Sequence, residues 1–337
     1  MKILMIGGTG TISMAITRLL AERGTDEIYL LNRGNRSVEL PDGVNVITAD
    51  INNEEEVLEK TSGMEFDAVC EFIGFVPSQI ERDHRLFSGR TKQYIYISSA
   101  SAYHKPVRSY VINESTALAN PYWQYSRDKI ACEDLLMKYY REEGFPVTIV
   151  RPSHTYDERS VPLGVHGKNG SWQVIKRMLE GKKVIIHGDG TSLWTMTFNE
   201  DFAKGYVGLI GNPHAIGEAF QITSDETLTW NQIYETIARV LGVELKCIHV
   251  SSEFLRDVSD YDFEGSLIGD KACSVVFDNS KLKRAVPGFS PEIRFEEGIR
   301  RTITNVLSHP ELQVEDPEFD SWCDKVIDAI ETLKSNF

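Results

Sequence analysis

A tyrosine and a lysine stand four residues apart in the segment Tyr125-Ser126-Arg127-Asp128-Lys129. Residues with this spacing share one face of an α-helix. A tyrosine phenol has a pKa of about 10 and is a poor base at neutral pH. The ammonium of Lys129 and a positively charged nicotinamide ring would both favour the phenolate. Tyr125 could then exchange a proton with a substrate while hydride moves to or from the cofactor. A plain surface helix shows the same spacing, so the motif needs support from elsewhere in the chain.

Serines end a predicted strand upstream of this helix, in the sequence Ile97-Ser98-Ser99-Ala100-Ser101-Ala102-Tyr103. A serine hydroxyl at the carboxyl end of a strand can hold a hydroxyl or carbonyl group of a substrate. Serines at such positions also form hydrogen bonds within turns, and the sequence leaves both roles open.

Glycines follow the first predicted strand at once, in the sequence Gly7-Gly8-Thr9-Gly10-Thr11-Ile12-Ser13. Glycine allows a tight turn and lets a pyrophosphate approach the backbone. The free N–H groups at the start of the following helix attract its negative charge. The turn from Gly7 to Ile12 is therefore predicted to bind a dinucleotide, with a turn that holds no ligand as the alternative. Ser13 replaces the third glycine of the motif, so we expect the helix and the strand to lie slightly farther apart.

The residues that would contact the adenosine half of this dinucleotide follow the second and third strands. The second strand ends at Asn32-Arg33, where an acid would bind the ribose of NAD. Arg33 could instead pair with the 2′-phosphate of NADP, or be only a solvated charge. The expected cofactor is NAD(P), with a slight preference for NADP. Asp50 and Ile51 end the third strand, and Asp50 either faces the adenine or caps the helix that begins near Asn53.

The first half of the chain alternates strands with helices. The predicted strands are Lys2–Ile6, Glu27–Asn32, Val44–Asp50, Phe66–Phe72, Gln93–Ser99 and Pro146–Pro152. The predicted helices include Ile12–Arg23, Asn53–Thr61 and Tyr122–Glu143. Strands that are apolar nearly throughout are typical of parallel strands buried on both faces. The predicted fold is α/β, a Rossmann-type doubly wound parallel sheet.

The alternation loosens after Pro152. The later predictions are helices at Ser171–Glu180, Asn199–Leu209, Thr229–Leu241 and Asp316–Asn336, with strands at Val184–His187 and Glu218–Thr223. We expect residues 1–165 to form the dinucleotide-binding domain, with return segments near 195–225. Residues 166–337 would form mainly a smaller C-terminal α/β lobe that binds substrate over the carboxyl edge of the sheet.

Charge and cysteine content exclude several classes of protein. The 337 residues carry a formal net charge of −14 and no basic cluster, so no nucleic-acid binding is expected. The five cysteines lie far apart without a CxxC pair, which predicts neither disulfides nor a zinc site and suits a reducing cytoplasm. Neither a signal peptide nor a run long enough to span a membrane is found, so a soluble, cytoplasmic protein is expected.

These residues together resemble the extended short-chain dehydrogenase/reductase family, the NAD-dependent epimerases and dehydratases. The resemblance runs through Gly7–Gly10, Ser98-Ser99 with Tyr103, Tyr125 with Lys129, Arg151-Pro152-Ser153, Gly188-Asp189-Gly190, Phe277–Lys281 and Phe295–Ile299. It implies that Ser99 is the catalytic serine, that Tyr125 is the acid/base and that Lys129 lowers the pKa of Tyr125 and holds the nicotinamide ribose. It also implies that the loop Phe72-Ile73-Gly74 lies along the cofactor.

Three positions depart from the family pattern, and all three are candidate substrate contacts. Trp194 stands near the position of an arginine that binds the diphosphate of sugar nucleotides, and it either stacks on a ring-shaped ligand or packs in the core. His154 replaces an asparagine after the sixth strand and is either a ligand contact or a packed histidine. Tyr103 is followed by His104 where the family has glycine.

The expected function is an NAD(P)-dependent oxidoreductase, epimerase or dehydratase that acts on a hydroxyl-bearing small molecule by hydride transfer. A dinucleotide-binding sensor without turnover is the first alternative. An RNA-binding protein on the same fold is the second, because the sequence also resembles, more weakly, an atypical branch that includes plant chloroplast RNA-binding proteins. The family resemblance further implies a homodimer through the helix of Tyr125 and its predecessor.

Overall fold

The computed structural model describes residues 1–34 and 39–337. The strands are, in chain order, β1 (Lys2–Ile6), β2 (Glu27–Asn32), β3 (Val44–Thr48), β4 (Ala68–Glu71), β5 (Tyr94–Ile97), β6 (Val111–Ile112), β7 (Val147–Pro152), β8 (His154–Tyr156), β9 (Val184–His187), β10 (Leu193–Trp194), β11 (Met196–Phe198), β12 (Glu218–Ile222), β13 (Leu228–Thr229), β14 (Cys247–Val250) and β15 (Val276–Phe277).

The α-helices are, in chain order, α1 (Thr11–Arg23), α2 (Glu54–Lys60), α3 (Pro77–Phe87), α4 (Gln124–Glu143), α5 (Trp172–Leu179), α6 (Asn199–Leu209), α7 (Trp230–Leu241), α8 (Ser252–Asp257), α9 (Ser280–Ala285), α10 (Phe295–Ser308) and α11 (Pro317–Ser335). A π-helical segment covers Glu264–Lys271. Short 3-10 turns lie at Ala100–Ala102, Pro213–Ala215 and Pro310–Leu312.

Seven parallel strands form the central sheet, in the order β12-β7-β5-β4-β1-β2-β3. The chain runs outward from β1 in one direction through β2 and β3, and then in the other through β4, β5 and β7. The order therefore reverses between β1 and β4, and a crevice opens at the carboxyl ends of these strands. The predicted α/β fold with a doubly wound parallel sheet is confirmed.

Both faces of the sheet are covered, as the apolar strands predict. Every residue of β4, β5 and β7 is buried. On one face, α1 and α6 pack together through apolar side chains that include Ile16 and Phe202. On the other face, α2, α3 and α4 contribute Val57, Ile80 and Leu136 to a second cluster. Burial on both sides leaves only the strand ends free to bind a ligand.

The later part of the chain has its own apolar cluster, centred on large side chains such as Trp230 and Tyr234. Its strands pair in twos: β8 with β11, β9 with β14, β10 with β13, and β6 with β15. Segment 195–225 returns to the first part, because α6 packs on α1 and β12 pairs with β7. The division into domains near residue 165 stays a prediction.

The predicted strands and helices all lie within two residues of their structural bounds, and four of them, β1, β2, β9 and α6, have the predicted bounds. In the described ranges, no helix combines the length and apolar character that a membrane span requires. The five cysteines are free thiols, as predicted.

Candidate active site

The turn between β1 and α1 is held by a serine hydroxyl. The Oγ of Ser13 donates to the carbonyl of Gly7 at 2.7 Å and accepts from the N–H of Gly10 at 2.8 Å. Gly7 has a φ of +85°, and a Cβ there would lie 2.5 Å from the Cγ2 of Ile73. From the sequence, Ser13 was expected only to hold the helix slightly farther from the strand than glycine would. These hydrogen bonds were not predicted.

A cleft of about 550 Å³, here called the glycine cleft, lies over this turn. It opens at the carboxyl ends of β1, β2, β3 and β4, where the order of the sheet reverses. The predicted cofactor-binding residues that line it are Gly7, Thr9, Gly10, Thr11, Ile12, Asn32, Arg33, Asp50, Ile51 and Ile73. The structure thus brings together residues from four separate loops in the way a dinucleotide site requires.

Three predicted cofactor contacts, Gly8, Gly74 and Lys129, are buried and do not line the glycine cleft. Gly8 is buried, and a Cβ there would lie 2.5 Å from the Cδ2 of Leu30, so this glycine permits close packing of the turn on β2. Gly74 packs against Glu71, and its carbonyl accepts a hydrogen bond from Lys129. Both glycines therefore shape the cleft from outside its lining.

Asp50 does not cap the helix that follows it. Its Oδ1 accepts from the backbone N–H of Asn52 at 3.0 Å, whereas the side chain of Asn53 accepts from the N–H of Glu56 and caps α2. Asp50 remains on the lining of the glycine cleft, and Arg33 lies exposed on the same lining.

A buried charge cluster beneath the glycine cleft was not predicted from the sequence. Arg82 contacts Asp83 at 2.7 Å and Asn52 at 2.8 Å, and its guanidinium lies 3.8 Å from Glu71. The carboxylate of Glu71 accepts from the N–H of Ile73 and so fixes the loop after β4. Burial raises the pKa of Glu71 well above its usual value, with Asp83 adding to the effect.

Tyr125 and Lys129 lie on the first turns of α4. Lys129 is buried, and its Nζ donates to the carbonyls of Gly74 at 2.7 Å and Ile97 at 2.8 Å. Burial lowers the pKa of Lys129 to about 8. The ammonium lies 5.8 Å from the centre of the Tyr125 ring.

The pKa of Tyr125 is raised, contrary to the lowering that the family resemblance implies for Lys129. Burial is the main cause, the Ser99 hydroxyl acts in the opposite direction, and Asp270 adds to the rise. The two carbonyls that hold the Lys129 ammonium draw it away from the phenol.

Ser99 lies directly beyond β5 and belongs to a chain of hydroxyl groups. Its Oγ lies 2.9 Å from the Oγ of Ser101, which accepts from the Oγ of Ser126 at 2.7 Å. Asn120 donates to the carbonyl of Ser101 at 2.8 Å and fixes this chain. The hydrogen bonds leave Ser99 facing a second cavity, where Tyr125 also lies.

This second cavity, here called the tyrosine cavity, has a volume of about 250 Å³. Ser99, Tyr125, His154 and Trp194 line it, as predicted for catalytic or substrate-binding residues. Three charged side chains line it that were not predicted: Lys105, Asp270 and Lys271. They come from a loop after β5 and from the end of the π-helical segment, and no spacing in the sequence relates them to Tyr125.

Tyr103 was predicted as a substrate contact but does not line the tyrosine cavity. Its side chain is 1% exposed, and its hydroxyl donates to Gln221 at 3.0 Å. The guanidinium of Arg151 lies 5.0 Å from the ring centre. Tyr103 is therefore a buried residue that joins β7 and β12 beneath the site.

His154 and Trp194 both line the tyrosine cavity, and their contact with a ligand stays a prediction. Trp194 stacks on Trp230 with ring centres 5.9 Å apart, yet one edge lines the tyrosine cavity. Burial lowers the pKa of His154 to about 3, so its ring is neutral at physiological pH.

Residues of the tyrosine cavity and of the glycine cleft lie close together at two points. Ile97 lines the cleft, and Ser99 lines the cavity two residues farther along the chain. Phe75 lines the cleft, and its ring centre lies 6.5 Å from that of Tyr125. A ligand that extends along the cleft would therefore end beside the phenol.

Comparison with known families decides between the protein classes that share such a crevice. The model described as the NAD dependent epimerase/dehydratase family matches residues 3–223. The chain belongs to this family. The predicted membership is confirmed, and so is the prediction of an enzyme, because the matching family is one of epimerases and dehydratases.

Relatives of this epimerase/dehydratase family member differ widely in function. The 2′-dehydrokanamycin reductase of Streptomyces kanamyceticus is 22% identical over 86% of this chain and 80% of its own. Chloroplast stem-loop binding protein of 41 kDa b from Arabidopsis thaliana is 23% identical over 88% of this chain and 77% of its own.

A solved structure of UDP-glucuronic acid 4-epimerase from Bacillus cereus, in complex with UDP-glucuronic acid and NAD, has the same fold. Its TM-score is 0.71 at 20% identity, with 91% of this chain and 99% of that chain covered.

Proposed function

We propose that this enzyme transfers hydride between NAD(P) and a hydroxyl-bearing small molecule, with Tyr125 moving the proton. The observation that carries the proposal is the shared position of Ser99 and Tyr125 on one cavity that adjoins the glycine cleft. Hydride transfer of this kind is the first step open to an epimerase or dehydratase and the whole reaction of a reductase.

The residues of the glycine cleft fit a dinucleotide. The turn from Gly7 to Ile12 presents backbone N–H groups at the start of α1, where a pyrophosphate is favoured. Lys129 uses two of its three N–H donors on carbonyls, which leaves one for a ribose hydroxyl. A nicotinamide at the cavity end of the cleft would supply the hydride donor or acceptor. Arg33 on the cleft lining supports a preference for NADP over NAD.

The proton has a defined route through this chain's own residues. During oxidation the substrate hydroxyl gives its proton to the Tyr125 phenolate, formed by loss of the phenol proton to solvent when oxidised cofactor is bound, while its carbon gives hydride to the cofactor. During reduction the phenol returns the proton to the new alkoxide. The Ser99 hydroxyl would hold the reacting oxygen between these groups. Because burial raises the pKa of Tyr125, the phenol is the resting form and is ready to donate in the reductive direction.

The test is a spectroscopic titration of the Tyr125 phenol. Oxidised cofactor brings a positive ring next to the cavity, so its binding should lower the pKa of Tyr125. Ultraviolet difference spectra of the wild type against Tyr125→Phe, recorded across pH with and without oxidised NADP, isolate this one phenolate from those of the other tyrosines. A phenolate signal that does not shift on cofactor binding would contradict the proposal.

Turnover provides the second readout. Once a substrate is found, Tyr125→Phe should reduce its conversion by about 10²-fold or more with cofactor affinity nearly intact. Lys129→Ala should weaken both cofactor binding and turnover. Cofactor binding with no titration shift and no effect of Tyr125→Phe would favour the alternative of a dinucleotide-binding sensor.

Two further expectations remain proposals. A homodimer would form through α3 and α4, which pack side by side, and analytical ultracentrifugation would show it as a species of twice the chain mass. The cytoplasmic location expected from the cysteine content would be tested by cell fractionation.

A further inference from the structure

The tyrosine cavity contains more positive charge than hydride transfer requires. Tyr125 and Ser99 account for the proton route, but Lys105 and Lys271 also line the cavity. Asp270 is the one carboxylate on this lining. Two ammonium groups against one carboxylate leave an excess of one positive charge.

Lys105 is a largely buried residue whose ammonium shares the cavity lining with Asp270 but forms no ion pair with it. Its side chain belongs to a residue that is 3% exposed, and its backbone N–H donates to the carbonyl of Ala119 at 2.7 Å. Within residues 1–34 and 39–337, its Nζ forms no hydrogen bond and no ion pair, although its charge acts on the nearby Asp270. An ammonium on a cavity wall whose donors are free can bind an acceptor that a ligand supplies.

Lys271 faces the same space from the end of the π-helical segment. Its Nζ lies 3.8 Å from Asp270 and 3.3 Å from the carbonyl of Ser266. Burial is the main cause of a lowered pKa at Lys271, and the charge of Lys105 lowers this pKa further. Both lysine side chains line the one cavity, so an anionic group bound there could approach both. His154 is neutral and adds no charge of its own.

Size and wall chemistry restrict the ligand further. The cavity holds about 250 Å³, which is below the roughly 300–1,000 Å³ typical of sites for drug-sized ligands. The cavity itself accommodates a group about the size of one sugar ring, and the rest of a nucleoside diphosphate sugar would lie outside it. Trp123, Trp194 and Phe277 give aromatic walls that suit the face of a sugar ring.

We propose that the tyrosine cavity selects a substrate the size of a monosaccharide that carries one compact anionic group, a carboxylate or a phosphate, held by Lys105 and Lys271 beside Tyr125. The inference rests on the proposed function for the placement of the reacting hydroxyl. The anion site itself is independent of whether hydride transfer occurs.

The experiment compares three sugars that differ only at C6: D-glucuronate, D-glucose 6-phosphate and D-glucose. Each is titrated into the cofactor-loaded protein, and its dissociation constant is measured by ligand-observed nuclear magnetic resonance. At least one anionic sugar should bind about tenfold or more tightly than glucose, as a charge-assisted contact implies. The tighter of the two anionic sugars identifies the group as carboxylate or phosphate.

Lysine variants test the assignment of the contacts. Lys105→Met and Lys271→Met should each weaken binding of the anionic sugar by about tenfold or more, and Lys105→Arg should retain most of it. The matched control is Lys325→Met, because Lys325 is exposed on α11. Circular dichroism and cofactor affinity of each variant separate a folding defect from a lost contact.

Equal binding of all three sugars, no binding of either anionic sugar, or lysine variants with wild-type affinity would each overturn the inference. Failure of the proposed function looks different. In that case the anionic sugar binds and depends on both lysines, while the Tyr125 phenol does not respond to oxidised cofactor.

Discussion

Arg33 is the residue that we expect to decide between the two nicotinamide cofactors. It lies exposed on the lining of the glycine cleft, directly after β2. Among the described residues it forms no ion pair, so its guanidinium is available to a ligand. Arginine binds a phosphate through a planar pair of N–H groups, and this geometry suits the 2′-phosphate of NADP.

Replacing Arg33 with alanine should therefore weaken NADP more than NAD. The expected loss of NADP binding free energy is roughly 1.5–3 kcal/mol, the contribution of a charge-assisted hydrogen bond. The affinity for NAD should be nearly unchanged. Titration calorimetry with both cofactors measures this, and Arg300→Ala on the exposed surface of α10 is the control. A wild-type protein that binds NAD more tightly than NADP would make Arg33 a surface charge only.

Local signals identify the residues of the candidate site that lie next to a recognisable element. The glycine turn follows the first strand, Ser99 ends a strand, and Tyr125 and Lys129 share a helix face, so all were found from the sequence. Lys105 and Lys271 were not, because they meet only through the tertiary fold. Tyr103 was predicted to contact substrate but does not line the tyrosine cavity. The family motif gives its position along the chain and not the direction of its hydroxyl.

At the scale of elements, the turn between β1 and α1 contains two glycines whose replacement should affect cofactor binding and protein stability differently. Gly10 has a φ of −83°, and a Cβ there would find its nearest neighbour at 3.4 Å, the Oγ of Ser13. Gly7 has a φ of +85° and would place a Cβ 2.5 Å from Ile73. A side chain at Gly10 therefore enters the cleft, whereas one at Gly7 also strains the protein.

Gly10→Val should abolish cofactor binding and leave the melting temperature close to that of the wild type. Gly7→Ala should lower both the cofactor affinity and the melting temperature. The left-handed backbone alone should reduce the free energy of unfolding by about 1 kcal/mol or more. Calorimetric titration and thermal unfolding of the two variants make the comparison. The assignment of the turn would be lost if Gly10→Val bound cofactor as well as the wild type does.

Whether an element could be predicted depends on where its stabilising contacts come from. Buried strands such as β1 and β9 carry their own apolar pattern, and α6 carries its own periodicity. The π-helical segment is different, because distant side chains hold its carbonyls. Asn120 donates to Gly269 at 2.7 Å, and Trp230 donates to Lys271 at 3.0 Å. No window of sequence contains both partners.

For the whole molecule, a buried histidine links stability to pH. His187 is 1% exposed, packs edge-on against Trp230, and shares a 3.3 Å contact with the carbonyl of Lys271. Burial lowers its pKa to about 4. The unfolded chain therefore binds a proton at a higher pH than the folded protein does, and stability is lost as the pH falls from about 6.5 through 4.

The free energy of unfolding should fall by about 2 kcal/mol between pH 7 and pH 4.5 because of His187 alone. Urea unfolding of the wild type and of His187→Phe, measured across this range, gives the contribution as the difference in their slopes with pH. His214→Phe is the control, since His214 is exposed. Parallel pH profiles for the wild type and His187→Phe would show that His187 titrates normally.

The return of β12 to the central sheet has a consequence for how the protein is made. A ribosome completes β7 well before it reaches Glu218–Ile222, the strand that pairs with β7. Until then, one edge of the apolar strand β7 has no partner strand. Its free backbone groups could pair with another nascent chain. During synthesis, α5, α6 and the strands β8 to β11 emerge while this edge is still open. We therefore expect the enzyme to be most prone to aggregation in the time between the emergence of β7 and that of β12.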